Sequence, residues 1–417
     1  MRQSATAIAY TSPDLDPYSV PLEQIDVSES SLYERNAHGR YFERLRREDP
    51  VHHTADSEFG AYWSVTRYED IKWVDTHHNE FSSEPTIVIG DPREDFTLPM
   101  FIAMDRPKHA QQRKGVMGAV SPKSLSLLEP TLRQRVRRIL NSLPIGEDFD
   151  WVKRVSVELT TQMLATLLDF PFEDRHKLRY WSDVAASTPQ VGATHVNEDY
   201  RRQVLMECLE YFHELWEERT KNPGTDFVSL MAHNPAFQDM APLEYLGNLV
   251  LLIVAGNDTT RNSISGGVYA LNQFPAEYRK LKSDPGLIPN MVSEIIRWQT
   301  PLSHMRRTAR IDVTLAGKNI RAGDKVVMWY VSGNRDESVF EDADSLIINR
   351  CNAAQHLAFG FGIHRCMGNR LALMQLRVLW EELLARFGEI EVVGEPQRIR
   401  SNFVNGYQTL PVRLHVA

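Results

Sequence analysis

The chain has 417 residues and a formal net charge of −8 at pH 7, which argues against general binding to nucleic acids. Its hydrophobic content of 42% is ordinary for a protein with a large buried core. No linker, repeat or abrupt shift in composition divides the sequence, so we expect one domain over residues 1–417.

The cysteines and the apolar runs indicate where the protein works. Cys208, Cys351 and Cys366 show no disulfide-framework or C-x-x-C spacing, which favours a reducing compartment. The N-terminus lacks the basic and apolar regions of a signal peptide. The longest apolar run, Leu249–Ala255, is far shorter than the roughly 20 residues that cross a bilayer. We expect a cytoplasmic protein with no membrane span.

In chain order, the predicted elements are mainly helices. Helical periodicity predicts helices over Ala37–Arg47, Leu125–Leu143, Val152–Leu168, Tyr200–Thr220 and Leu243–Phe274. Strand-like patterns occur at Tyr62–Val65, Ile311–Leu315, Lys325–Tyr330 and Ile390–Val416. The fold class that follows is mainly α with small peripheral β-sheets.

The amino-acid composition of two segments before residue 140 suggests a function. Residues 81–104 combine prolines and glycines with apolar side chains such as Ile87, Ile89 and Phe101, which is typical of a long loop that lines a pocket. Between Met104 and Arg138, nine basic residues face two acidic ones, a local net charge of 9 − 2 = +7. A solvated helix face and a docking patch for an acidic protein both explain this charge.

The predicted helix over Leu243–Phe274 has some 30 residues and a length of roughly 45 Å, enough to cross the domain. It is nearly all apolar from Leu246 to Val254 and then changes at Ala255-Gly-Asn-Asp-Thr-Thr260. Gly and Thr weaken a helix interior, so we expect a local distortion there. A packing kink with a solvated Asp258 is the structural alternative.

Cys366 lies in the run Phe359-Gly-Phe-Gly-Ile-His-Arg-Cys-Met-Gly368, just before a predicted leucine-rich helix. Nearby cations and the start of a helix favour the thiolate form of a cysteine, which is a soft metal ligand. Glycines allow a tight turn and the close approach of a flat cofactor. The alternative is a buried structural cysteine beside a glycine-rich turn.

The spacing Phe-x-x-Gly-x-x-x-Cys-x-Gly resembles the haem-ligand loop of the cytochrome P-450 superfamily. The resemblance implies the cytochrome P-450 fold, with the long central helix over haem b and Cys366 as the single protein ligand of its iron. It assigns Asp258 and Thr259 to proton relay and oxygen activation, and Ala255 to the space for dioxygen.

Further residues match this family in order. Glu294 and Arg297 share one helix face, a weak signal alone, and correspond to a pair that forms a buried structural triad with Arg350. The resemblance implies that carboxylates of haem are bound by His109, Arg113, Arg307 and His364. Between Phe340 and Arg350 the usual prolines of the family are absent, which leaves the path of that segment less defined.

Longer strings, including Gly256–Asn262, Arg297–Leu302 and Met328–Arg335, resemble the soluble bacterial alkane and fatty-acid terminal hydroxylases. This implies a monooxygenase that uses O2 and electrons from a ferredoxin and its reductase to hydroxylate the terminal methyl of a medium-chain alkane or fatty acid. By position we expect the small hydrophobic substrate to contact Ile89, Leu252, Ala255, Leu302 and Val404.

Three alternatives stay open at this point. The first is a cytochrome P-450 that hydroxylates terpenoid or other cyclic hydrophobic substrates. The second is a haem-thiolate protein that isomerises or dehydrates its substrate, which would not need the acid–alcohol pair at Asp258 and Thr259. The third is a zinc-binding or redox-sensing protein that uses His364 and Cys366, although Cys351 and Cys366 lack the spacing of a structural zinc site.

Overall fold

Helices form most of the regular structure. A computed structural model describes residues 11–92, 95–187 and 197–416. Its α-helices are α1 (Ser31–Glu34), α2 (His38–Glu48), α3 (Tyr68–Thr76), α4 (Lys108–Val116), α5 (Pro122–Asn141), α6 (Val157–Leu167), α7 (His176–Ala186), α8 (Glu198–Lys221), α9 (Phe227–Ala232), α10 (Pro242–Gln273), α11 (Pro275–Ser283), α12 (Ile288–Gln299), α13 (Tyr330–Gly333) and α14 (Asn369–Leu384).

The strands are short and form four small sheets. They are β1 (Val51–Thr54), β2 (Tyr62–Val65), β3 (Phe81–Ser82), β4 (Asp148–Asp150), β5 (Met305–Ala309), β6 (Val313–Leu315), β7 (Lys318–Ile320), β8 (Lys325–Met328), β9 (Phe387–Val392), β10 (Gln397–Arg398), β11 (Tyr407–Thr409) and β12 (Pro411–Val416). The largest sheet has the order β1-β2-β8-β5-β3, in which only β2 and β8 are parallel. The others have the orders β4-β12-β9, β10-β11 and β6-β7.

Helix α10 is the central element of the helical part. It runs for 32 residues and contacts α6, α7, α8, α12 and α14. Leu246, Leu249 and Ile264 on α10 are completely buried in the main hydrophobic core, as expected for a helix enclosed on several sides. Across the described residues, none of the helices combines the length and the apolar character that a membrane span requires.

The expected distortion near Gly256 does not interrupt α10. The helix is continuous through these residues, and the Thr259 hydroxyl donates a hydrogen bond to the carbonyl of Ala255 at 2.9 Å. Gly256 lies against α6, since a Cβ atom at this position would be 3.1 Å from Cδ1 of Leu164. Packing against neighbouring helices therefore holds a segment of low intrinsic helix propensity in helical form.

The predicted helices agree with the structure to within a few residues, whereas some strands and helices differ. The predicted strand over Ile311–Leu315 begins only at Val313, because Ile311 is exposed and unpaired with the neighbouring strand. Strand β8 ends at Met328, and Tyr330 begins a short helix. Helices α3 and α7 lie in segments for which the sequence predicted no element.

The structure brings Glu294, Arg297 and Arg350 together in the interior. The Glu294 carboxylate accepts two hydrogen bonds of 2.8 Å from Arg297 and one of 3.0 Å from Nε of Arg350. Arg297 also donates to the carbonyls of Asn334 and Ala343, each at 2.7 Å. These bonds tie α12 to the segment between Asn334 and Arg350, which fixes the path of the segment that lacks the family's usual prolines.

We predict that Glu294→Gln lowers the free energy of unfolding by about 3–5 kcal/mol, because it leaves two buried guanidinium groups without their carboxylate. Urea denaturation of the holoprotein measures the loss. Glu381→Gln is the matched control, since Glu381 pairs with Arg133 and Arg377 but is 31% exposed, and we expect a loss of about 0–1 kcal/mol. Similar losses in the two variants would contradict this interpretation of the triad.

Candidate active site

A large interior cavity lies between α10, the start of α14 and the loop before β5. It comprises about 1410 Å³ of empty space, including the part that opens to solvent. Cys366 and Thr259 both face this cavity. A cavity that both Cys366 and Thr259 line is a candidate site for a cofactor and a substrate.

The loop that carries Cys366 is shaped by two glycines with positive φ angles, +65° at Gly360 and +64° at Gly362. Side chains other than glycine rarely adopt these angles. The loop closes with a hydrogen bond of 2.7 Å from the Cys366 N–H to the Phe359 carbonyl, and α14 begins three residues after the cysteine. The Cys366 side chain is thereby presented to the cavity at the start of a helix.

Burial raises the pKa of the Cys366 thiol, although the N–H groups of Gly368 and Asn369 and the charges of Arg113 and Arg365 act in the opposite direction. The side chain is exposed to the cavity that it lines, but enough protein atoms surround it that desolvation is the larger effect on its pKa. The direction of this shift differs from the sequence-based prediction that the loop alone holds a thiolate. A bound metal cation would offset this desolvation and stabilise the thiolate.

Two predicted cofactor ligands, His109 and His364, are neighbours in the same cavity, with ring centroids 4.0 Å apart. Burial, with nearby arginines, lowers the pKa of His109 to about 4 and that of His364 to about 2. Among the described residues, neither ring nitrogen of His109 has a hydrogen-bond partner, nor has Nδ1 of His364. Nε2 of His364 lies 2.9 Å from Oγ of Ser83. Unsatisfied buried nitrogens such as these fit a polar ligand group.

The other two predicted cofactor ligands, Arg113 and Arg307, also line the cavity. Arg113 donates a hydrogen bond to the carbonyl of Arg365 in the cysteine loop. Arg307 is buried and donates to Asp75 at 2.7 Å. Two guanidinium groups and two histidines beside one cysteine form a donor set that fits a metal-centred cofactor with carboxylate groups, which is the composition of haem.

Thr259 and Asp258 are adjacent in sequence but face different cavities. Thr259 lines the large cavity, while the Asp258 carboxylate is buried and lies 2.7 Å from Nη2 of Arg261. Arg261 also donates to Asp183 on α7 at 3.1 Å. Asp258 and Arg261 line a second cavity, whose other polar residues are Arg179, Asp183, Ser187, Arg400, Ser401, Tyr407 and Gln408.

Burial raises the pKa of Asp258, and the nearby Asp183 carboxylate acts in the same direction, while Arg261 opposes them. Ser182 donates a hydrogen bond of 3.3 Å to the other carboxylate oxygen. A carboxyl group with a raised pKa, beside a polar cavity, is suited to take up and release a proton. The alternative of a solvated Asp258 at a kink does not agree with the structure, since the residue is 1% exposed.

The five predicted substrate residues lie in three different places. Leu252, Ala255 and Leu302 line the large cavity, together with an apolar set comprising Ile87, Phe101, Ile102, Leu164, Leu167, Phe227 and Leu251. Val404 lines the second cavity and forms an isolated β-bridge with Leu302. Ile89 lies in neither lining, because it is completely buried in a separate core with Val27 and Trp329.

His304 is a residue whose role the sequence did not reveal. Its Nδ1 lies 3.1 Å from the carbonyl of Asn402, and its Nε2 accepts a hydrogen bond of 3.2 Å from the N–H of Ile89. Burial lowers the pKa of His304 to about 3, so the ring stays neutral and can donate at one nitrogen while it accepts at the other. His304 thus joins the 81–104 loop to the segments that carry Leu302 and Val404.

Three of the nine basic residues between Met104 and Arg138 form ion pairs with residues outside this segment. Lys108 pairs with Glu244 at 2.7 Å, and Arg133 and Arg137 pair with Glu382 on α14 at 3.0 and 3.1 Å. The net charge of this sequence segment therefore overstates the charge of its surface. Lys114, Arg365 and Arg370 are exposed near the cysteine loop.

The described residues offer no support for a zinc site. Within residues 11–92, 95–187 and 197–416, no group of three His, Cys, Asp or Glu side chains converges as metal ligands would. The neighbouring pair of His364 and Cys366 faces the large cavity, and Cys351 is a free, exposed cysteine. A single thiol, supported by cations rather than by further ligands, matches a cofactor-bound metal better than a metal held by protein alone.

Comparison with known proteins gives a consistent result. The family profile "Cytochrome P-450" matches residues 286–409. The chain is 38% identical to linalool 8-monooxygenase of Pseudomonas putida, over 94% of this chain and 99% of that protein. It is 32% identical to methyl-branched lipid omega-hydroxylase of Mycobacterium bovis, over 98% of each. Its structure is similar to that of CYP153D17 from a Sphingomonas species, with a TM-score of 0.89, 47% identity and coverage of 94% and 100%.

Proposed function

Because this chain belongs to the cytochrome P-450 superfamily and is a haem b-dependent monooxygenase, we propose that it hydroxylates the terminal methyl group of medium-chain alkanes or fatty acids. The observation that carries the proposal is the apolar part of the large cavity, which Leu252 and Leu302 share with the cofactor residues. The omega-hydroxylase relative, whose name specifies oxidation at a chain end, supports the same position of attack.

We assign Cys366 as the protein ligand of haem iron and His109, Arg113, Arg307 and His364 as the residues that bind haem carboxylates. Haem, when bound, supplies the one-electron and O2 chemistry that protein side chains lack. The overall reaction balances as R–CH3 + O2 + two electrons + two protons giving R–CH2OH + H2O. The protein must therefore bind and orient the methyl group, exclude bulk water and deliver protons.

The proton route that we propose runs through Asp258 and Thr259. The Asp258 carboxyl can take a proton from water in the second cavity, because burial raises its pKa and Arg261 stabilises the carboxylate form that follows release. Thr259 is the next residue and places its hydroxyl in the large cavity. Its O–H donates to the Ala255 carbonyl in the structure and must rotate towards the cavity to pass on a proton, while its oxygen accepts another. With that rotation, the pair can move a proton between the two cavities.

The apolar wall accounts for the choice of carbon. A terminal C–H bond is stronger than its neighbours, so intrinsic reactivity favours internal carbons and the shape of the cavity must override it. Ile87, Phe101, Leu252 and Leu302 offer contacts to a hydrocarbon chain. Each buried CH2 contributes about 0.8 kcal/mol, so affinity should rise with chain length until the cavity is full.

We propose that electrons reach this site from a ferredoxin with its reductase. The exposed cations Lys114, Arg365 and Arg370 lie on or next to the segments that carry Cys366 and Arg113. Charge-steered association with an acidic partner should weaken as salt screens it, with a Debye length of about 3 Å at 1 M. The proposed docking surface therefore comprises these exposed cations and is smaller than the whole basic segment between Met104 and Arg138.

We predict that Thr259→Ala lowers the yield of alcohol per NAD(P)H consumed by at least about tenfold, because a proton donor in the cavity is lost and reducing equivalents go to hydrogen peroxide. Product and peroxide are quantified together with the redox partners present. Thr220→Ala is the control, since the Thr220 hydroxyl makes the same bond to a helix carbonyl, at 2.8 Å, on the exposed side of α8. Full coupling in Thr259→Ala would exclude the proposed role.

We predict that the unmodified enzyme converts medium-chain substrates mainly to the terminal alcohol and that Leu302→Ala moves oxidation towards internal carbons, because the chain gains lateral freedom near the cofactor. Gas chromatography of the products gives the ratio of terminal to internal alcohols. Leu281→Ala is the control, because Leu281 is completely buried in α11 and lies outside the cavity lining, so the ratio should not change.

The same experiment distinguishes the second candidate substrate class. The similarity to linalool 8-monooxygenase supports a terpenoid substrate for this chain, since linalool is a terpenoid alcohol. Activity confined to terpenoid or other cyclic substrates, or mostly internal alcohols from linear chains, would reject terminal hydroxylation of linear substrates. Neither outcome would affect the assignment of the chain as a cytochrome P-450 monooxygenase.

A further inference from the structure

Asp75, at the C-terminal end of α3, is a buried carboxylate that the proposed reaction does not use. It is 2% exposed. Its Oδ1 accepts a hydrogen bond of 2.7 Å from Nη2 of Arg307. Its Oδ2 accepts one of 2.8 Å from the Tyr330 hydroxyl and one of 2.7 Å from the N–H of Phe361. All of these bonds are between residues more than 230 positions apart in sequence.

The three donors to Asp75 belong to three different parts of the cofactor side of the large cavity. Arg307 is on β5, Tyr330 begins α13, and Phe361 is in the loop that leads to Cys366. Arg307 and Tyr330 line the cavity directly, as does Gly360 beside Phe361. One carboxylate therefore connects the guanidinium group assigned to a haem carboxylate with the loop assigned to the iron ligand.

The loop and the end of α3 are also in close backbone contact. A Cβ atom at Gly362 would lie 2.6 Å from the carbonyl oxygen of Asp75, a distance that real Cβ atoms do not reach. A Cβ atom at Gly360 would lie 3.2 Å from the Asp75 carboxylate. The end of α3 thus limits the path of the cysteine loop. The Asp75 carboxylate holds the loop on this path through the hydrogen bond from the Phe361 N–H.

The charge of Asp75 is balanced by Arg307 alone among its three donors. A buried carboxylate is costly unless a cation pairs with it, and Arg307 is itself only 4% exposed. Arg307 donates from Nη1 to the carbonyl of Arg306 at 2.9 Å, so Asp75 and that carbonyl together hold the guanidinium plane in one orientation. Without Asp75, a full positive charge would remain beside the cofactor space.

We propose that Asp75 is a positioning residue that orients Arg307 towards a haem carboxylate, anchors the Cys366 loop, and offsets the charge of Arg307 beside the cofactor. The proposal rests on the roles assigned above to Cys366 and Arg307. It goes beyond them because it gives a function to a residue of α3 that touches neither haem nor substrate. The alternative is that the hydrogen bonds of Asp75 only stabilise the fold and do not affect the cofactor.

The test is Asp75→Asn in the holoenzyme. The Asn side-chain oxygen can still accept from Tyr330 and Phe361, whereas its NH2 group cannot pair with Arg307. We expect haem to transfer to an acceptor apoprotein about 10- to 100-fold faster, as for other residues that orient metal-site ligands. We also expect the reduction potential to shift to more positive values, because a negative charge near the cofactor is lost.

Two further variants separate positioning from structure. Tyr330→Phe removes one donor to Asp75 but keeps its charge and its pairing with Arg307, so the potential should stay at the wild-type value. Arg307→Gln should shift the potential in the opposite direction from Asp75→Asn. The double variant Asp75→Asn/Arg307→Gln removes both charges of the Asp75–Arg307 pair, so it should fold even if Asp75→Asn does not, and its potential should return towards the wild-type value.

The proposal is overturned if Asp75→Asn lowers only the free energy of unfolding and leaves the haem transfer rate and the potential unchanged. It is also overturned if Asp75→Asn, Arg307→Gln and the double variant all shift the reduction potential in the same direction. Failure of the assigned cofactor site would look different, because the wild-type protein itself would then lack a thiolate-type spectrum of its reduced carbon monoxide complex.

Discussion

The Cys366 thiol lies on the wall of an interior cavity, where burial raises its pKa despite two nearby guanidinium groups and two helix N–H groups. A thiol in such a place becomes a thiolate when a metal cation replaces its proton. If Cys366 binds the haem iron, as proposed above, the cavity is arranged around a charge that forms when the cofactor binds. The loop glycines, the position of Arg307 and the His109 ring, whose nitrogens have no hydrogen-bond partner within the described part of the chain, are all consistent with this assignment.

Charge compensation continues outward from the cavity. Asp75 pairs with Arg307, Asp258 with Arg261, and Glu294 with Arg297 and Arg350, and each carboxylate is buried. Such pairs stabilise little in net terms, because desolvation offsets their attraction, but the removal of one partner leaves a costly unpaired charge. They therefore specify geometry. Asp75 holds Arg307 at the large cavity, Asp258 and Arg261 line the second cavity, and Glu294 ties α12 to Arg350 in the segment before the cysteine loop.

The sequence predicted the parts of this arrangement that depend on local pattern. The spacing around Cys366 and the periodicity of α10 are properties of short segments, and so is the pairing of Glu294 with Arg297 three residues later. Contacts between distant segments could not be predicted in this way. Asp75 and Arg307 are 232 residues apart, and nothing near Asp75 in sequence indicates its partner.

Contacts between distant segments also explain why the predicted surface charge and the predicted pocket residues differ from the structure. The basic stretch before Arg138 looked free because its partners, such as Glu382, lie on a helix 245 residues away. Ile89 belongs to the apolar loop, but the backbone bond from its N–H to His304 places its side chain in the core beside Trp329. Arg306 also donates hydrogen bonds to the carbonyls of Ile87 and Ile89, so contacts between distant segments hold this part of the loop in place.

The most direct test of the account is the difference spectrum of the reduced protein with carbon monoxide, recorded for the wild type, Cys366→Ala and Cys351→Ala. If Cys366 is the iron ligand, the wild type and Cys351→Ala show the thiolate-type band, and Cys366→Ala lacks it. Cys351→Ala controls for thiol loss because Cys351 is a free, exposed cysteine away from the cavity. A thiolate-type band that persists in Cys366→Ala would contradict the central claim.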